Sequence, residues 1–110
     1  MTSNGASGQD TYDTFRQGEL FLRAGQPTEP ARLLAPVVAA EPDNDSALEL
    51  YARALSASAQ LSKAEEALRR LVERRPDDGW AWFALARTME RRGSDATQQR
   101  RVAAALGFEG

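Results

Sequence analysis

The chain has 110 residues, with 14 Lys plus Arg against 16 Asp plus Glu, a formal net charge of −2. That is the size of one compact domain, without the basic excess that tracks nucleic-acid phosphates. The absence of His and Cys excludes zinc fingers, thiol or Ser-His catalysis, haem ligation by His and any disulfide framework, and no cofactor is expected.

Residues 1–10, Met-Thr-Ser-Asn-Gly-Ala-Ser-Gly-Gln-Asp, lack the basic-then-apolar order of a signal peptide and are too polar to bury themselves. They read as a flexible leader. Asp10 can cap a first helix over about 11–24, which Gly25 ends by supplying a left-handed position. Thr28 caps a second over about 29–40, closed by Glu41-Pro42. Pro36 lies inside it and should clash with the Arg32 carbonyl. Asp43 caps a third over about 44–59, and Ser62 a fourth over about 63–75, where Glu65 would complete a capping box. Pro76 breaks the chain, and Asp77 caps a fifth helix over about 78–92, ending at Gly93. Ser94 or Asp95 opens a sixth over about 95–106, with Gly107 as its stop. Composition agrees: 20 Ala and 12 Leu stand against 4 Val and no Ile, a balance that favours helix over strand. The connections are short, so successive helices run antiparallel.

A repeat underlies these elements. Pro42-Asp43-Asn44 and Pro76-Asp77-Asp78 lie 34 residues apart. Behind them Leu48, Tyr51, Ala52 and Leu55 align with Trp82, Leu85, Ala86 and Met89. Leu34 aligns with Leu68, and Gly18 and Phe21 fall in phase with Ala52 and Leu55. A helix–turn–helix period of this length, with these small and bulky residues in phase, resembles the tetratricopeptide repeat family.

The resemblance is best over residues 45–78, where Leu48, Tyr51, Ala52, Leu55, Ala64, Leu68 and Pro76 agree and Leu71 stands where a small residue is usual. Over 79–110, Trp82, Leu85, Ala86, Met89, Val102 and Ala105 agree and Gln98 does not. The first repeat, 11–44, is degenerate: Thr14, Gln17 and Pro30 depart, and Ala31 fills the small position only if the loop holds one extra residue. The resemblance implies one all-α domain over 11–110, a right-handed superhelical stack of antiparallel hairpins with about six helices. It also implies close packing at Ala52 and Ala64, and burial of Trp82.

In that family the first helix of each repeat lines a concave groove that takes a peptide. Carried onto this chain, the groove residues are Tyr12, Phe15, Glu19 and Leu22, then Ser46, Glu49, Arg53 and Ser56, then Trp80, Phe83, Arg87 and Glu90. Trp80 and Phe83 would anchor a partner, and Arg53 and Arg87 would select charge; aromatic and Arg side chains are what such surfaces favour. The two-carboxylate clamp of chaperone-binding members needs basic and amide side chains where Phe15, Glu19, Leu50, Trp80 and Ala84 stand. The chaperone role falls with it.

Charge is uneven. Residues 1–55 carry 4 basic and 8 acidic side chains, and 56–110 carry 10 and 8. Arg69, Arg70, Arg74, Arg75, Arg91, Arg92, Arg100 and Arg101 could form an anion patch. Their spacing from Glu65 and Glu66 fits ordinary solvated helix faces better. Glu65-Glu66 and Asp77-Asp78 point to different helix faces and make no acid–base pair, so no enzyme is expected.

The expectation is a cytoplasmic interaction module, an adaptor or scaffold, that binds a protein or peptide in the groove. No apolar run approaches the roughly 20 residues of a membrane span. The alternative is a self-associating unit: Val102 and Leu106 of the last helix, with Phe108 after it, have no partner in the next repeat and could pair two copies. A nucleic-acid adaptor ranks third.

Overall fold

A computed structural model describes residues 6–26 and 28–109, with side chains from Asp13 onward. Among these residues six helices form: α1 (Ala6–Arg23), α2 (Thr28–Ala40), α3 (Asp45–Ala57), α4 (Leu61–Arg74), α5 (Gly79–Arg91) and α6 (Thr97–Ala105). Among the described residues there is no strand. The chain falls into two compact units, Met1–Ser58 and Ala59–Gly110. In the first, α1 and α3 both pack on α2 and touch each other; in the second, α5 packs on α4 and α6.

The helix starts differ from the sequence expectation in an instructive way. Asp10 lies inside α1 rather than capping it, and residues 1–5 of the expected leader lie outside the described residues. Asn44 and Asp78, not Asp43 and Asp77, cap α3 and α5: their side chains accept from the amides of Ala47 and Ala81 at 3.0 and 3.1 Å. Glu41–Asn44 and Arg75–Asp78 each close a turn, with Asn44 N and Asp78 N donating to Glu41 O and Arg75 O at 3.0 Å. Proline and the following Asp occupy the middle of that turn, so capping passes to the next residue. Ser62 is exposed within α4, whose N-cap, Gln60, makes no side-chain cap bond. The expected capping box is therefore absent, because Glu65 turns to arginines instead. Asp95 Oδ1 accepts from Thr97 N and Oγ1 at 2.9 and 2.6 Å, which delays α6 to Thr97.

The ends follow the glycines. Gly25, Gly93 and Gly107 have φ of +79, +87 and +95°. After each, the next amide reaches back over the turn, from Gln26 to Phe21 O, Ser94 to Met89 O and Phe108 to Ala103 O at 2.8–2.9 Å.

The first core holds Leu34, Leu48 and Leu55 fully buried; the second holds Leu68, Leu71 and Leu85. Ala52 and Ala64 are buried as expected. Pro30 and Ala31 are both buried, and it is Pro30, at the degenerate position, that lies close to Gly18 of α1. A Cβ built on Gly18 would lie 3.2 Å from Leu34 Cδ1 and 3.5 Å from Pro30 Cβ. Gly18 thus leaves the space that the pyrrolidine ring takes, and Pro30 sits in the first turn of α2, where its missing N–H costs nothing. No extra loop residue is needed. Pro36 is exposed within α2, which continues to Ala40. In α6, Ala103 is buried, Val102 is half-buried and Ala105 is exposed.

Candidate functional site

In the first unit the face residues of α1 and α3 converge. Spacings of three and four residues put Phe15, Glu19, Leu22 and Arg23 on one face of α1 and Ser46, Glu49, Leu50 and Arg53 on one face of α3. Together they line a cleft of about 370 Å³. Phe15 and Leu22 are half-buried and Leu50 is buried, which makes the lining apolar at its centre. Charge flanks it in pairs: Arg53 donates to Glu49 through Nε and Nη2 at 3.1 and 3.0 Å, and Arg23 to Glu19 at 3.3 Å. Of the expected groove residues in this unit, Phe15, Glu19, Leu22, Ser46, Glu49 and Arg53 are in the cleft; the Tyr12 side chain lies outside the described residues. Ser56 Oγ is buried without a hydrogen-bond partner. Leu50 and Arg23 join the cleft unforeseen, although Arg23 is one helical turn from Glu19 and could have been found by that spacing.

The second unit treats its expected groove residues differently. Trp80 is half-buried and Arg87 exposed. Phe83 is covered from three sides: the Arg87 and Arg100 guanidinium carbons stand 5.7 and 5.2 Å from its ring centre, and the Phe108 ring lies 6.4 Å away, tilted by 40°. Arg100 is fixed there by two bonds to Glu90, at 2.9 and 2.7 Å. That pairing holds the Glu90 carboxyl below its ordinary range and Arg100 above. Of the residues expected to self-associate, Val102 is half-buried, and Leu106 and Phe108 are 37% and 41% exposed. Trp82 is half-buried rather than buried; its indole N–H donates to Pro76 O at 2.8 Å, and that polar edge keeps it at the rim of the core.

Three of the clustered arginines, Arg69, Arg92 and Arg100, are engaged in ion pairs. Glu65 accepts from Arg69 at 2.7 Å and from Arg92, the C-cap of α5, at 2.8 Å. Above all the bond from Arg69, and then that from Arg92, keeps its carboxyl below the ordinary value against the opposing effect of burial. Among the described residues no group of acidic side chains could hold a metal ion, and no helix is long and apolar enough to cross a membrane.

No curated protein matches the sequence. The tetratricopeptide repeat family model matches residues 21–87, from the last turn of α1 into α5 and more than half of the chain. With six helices in hairpins and caps that recur at the repeat period, the chain belongs to the tetratricopeptide repeat family.

Proposed function

We propose that this protein is a non-enzymatic interaction module that holds an extended peptide of a partner protein in the cleft between α1 and α3. The family is in general one of protein–protein interaction modules, and the observation that carries the finer reading is the cleft. Phe15, Leu22 and Leu50 offer apolar contact, while the Glu19–Arg23 and Glu49–Arg53 pairs offer both donors and acceptors along its walls. An apolar centre with a charged rim is the arrangement on which peptide recognition depends.

Selection from a random peptide library on the immobilised chain tests this. Peptides recovered on the wild-type protein lose about tenfold or more in affinity, roughly 1.4 kcal/mol, on Phe15→Ser with Arg53→Glu. Lys63→Glu, in α4, leaves them unchanged. Equal binding by all three proteins removes the cleft from consideration.

Self-association is the second reading, carried by the partial exposure of Leu106 and Phe108. Sedimentation across micromolar concentrations, with Leu106→Glu plus Phe108→Glu as control, decides it. A nucleic-acid partner would instead show binding that falls steeply with salt.

A further inference from the structure

Gly79 opens α5 and is buried, although it has no side chain to bury. What covers it is the segment after α6. A Cβ built on Gly79 would collide with Phe108 Cδ1 and Cε1 and lie 3.1 Å from Leu106 Cβ. The Phe108 ring therefore lies directly on the α5 backbone, at a distance that only glycine permits. One turn further on, Phe83 supplies the aromatic wall, and Arg100, tied to Glu90, covers its other side. The turn at Gly107 aims Phe108 back: its amide bonds Ala103 O at 2.8 Å, and φ of +95° at Gly107 makes the reversal.

A glycine in the first turn of a helix lowers helix propensity, and here the missing side chain makes a seat of ring size. Yet the occupant is only partly covered. Phe108 remains 41% exposed and sits past the last helical turn, on a segment that contributes little to the core.

We propose that Gly79 and Phe83 form a binding seat for an aromatic side chain, which Phe108 fills in the free protein and a partner's phenylalanine or similar ring fills in the complex. The inference rests on the interaction-module reading, but not on the α1/α3 cleft. Phe108 acts as a built-in competitor: it keeps the seat dry and sets the affinity that an incoming aromatic peptide must exceed. An intramolecular ligand lowers the apparent affinity of an outside one by the fraction of time the site is free.

The test uses the full chain and, as probe, the peptide Ala-Ala-Leu-Gly-Phe-Glu-Gly, with its Phe-to-Ser counterpart as control. In the Phe108→Ser protein the aromatic peptide moves the Gly79 backbone amide resonance saturably, at least tenfold more tightly than in the wild type, and the control peptide does not. Phe108→Leu keeps an apolar side chain for the fold and gives a smaller gain of the same sign. Gly79→Ala, whose Cβ blocks a ring from lying on the α5 backbone, abolishes the response, read at the residue-79 amide, whatever stands at residue 108. Equal affinity in the wild type and both Phe108 variants, or no movement of Gly79 at millimolar peptide, overturns the proposal. So does a Phe108 exchanged between copies, visible as concentration-dependent dimerisation that Phe108→Ser abolishes. Cleft and seat fail separately: peptides whose binding depends on Phe15 and Arg53 report on the first, and the Gly79 amide on the second.

Discussion

Ala59 carries a backbone conformation meant for another residue. Its φ is +58°, and the residues 34 before and after it, Gly25 and Gly93, hold the same left-handed conformation without a Cβ. The penalty for an L side chain there exceeds the extra freedom that glycine brings to the unfolded chain. Ala59→Gly is therefore expected to stabilise the protein by about 1 kcal/mol in urea titrations. Leu68, fully buried, lies at the other extreme: truncation to Ala should cost about 2–5 kcal/mol through lost transfer energy and the cavity left behind. Glu65 adds a dependence on acidity. Its carboxyl binds a proton less readily folded than unfolded, so its stabilising effect is present above the ordinary value of 4.5 and is lost as pH falls below it. Glu65→Gln should flatten the acid limb of stability against pH; an unchanged limb would mean that the two arginine bonds do not persist in solution. These residues were only partly legible in the sequence. Leu68 announced itself by its phase, whereas the bond from Arg92 joins groups 27 positions apart and no spacing rule reaches that far.

Helix ends were more readable than helix starts. A glycine after an apolar-periodic stretch has one dominant use, and Gly25, Gly93 and Gly107 all serve it. Asp-Asn and Asp-Asp after proline offer two cap candidates, and the choice is made by the turn that the proline nucleates. The consequence can be measured: Asn44→Ala and Asp78→Ala should each cost about 1 kcal/mol, whereas Ser62→Ala, inside α4 and capping nothing, should change stability by less than about 0.5 kcal/mol. The α1–α2 pair depends on a local compromise. Gly18 weakens its own helix but makes room for Pro30 and Leu34. Gly18→Ala should thus gain about 1 kcal/mol of propensity and lose a comparable amount to crowding, for a net change near zero. The exchange has no trace in the repeat pattern because it joins residues on two different helices, Gly18 on α1 and Pro30 and Leu34 on α2.

For the whole chain, the 34-residue phase gave the helical repeat and its family, since packing of one hairpin on the next requires that period. The site was half legible. Phase alone places Phe15, Glu49 and Arg53 on one cleft, but it cannot foresee that Phe108 returns to cover Phe83. Nor could it separate the two tryptophans. Trp80 and Trp82 are both half-buried, so the single-tryptophan proteins Trp80→Phe and Trp82→Phe should show similar acrylamide quenching; a large difference would contradict the position of one ring. The packing order within each unit has a further outcome, in time. The helix pairs that pack most extensively among the described residues are neighbours in the chain, so most of the packing closes over one hairpin rather than over the whole chain. Topologies of this kind fold in roughly microseconds to milliseconds. Most of the refolding amplitude should be complete within the dead time of a stopped-flow instrument, and a folding phase of seconds would have to come from proline isomerisation in the unfolded chain, before the first hairpin forms.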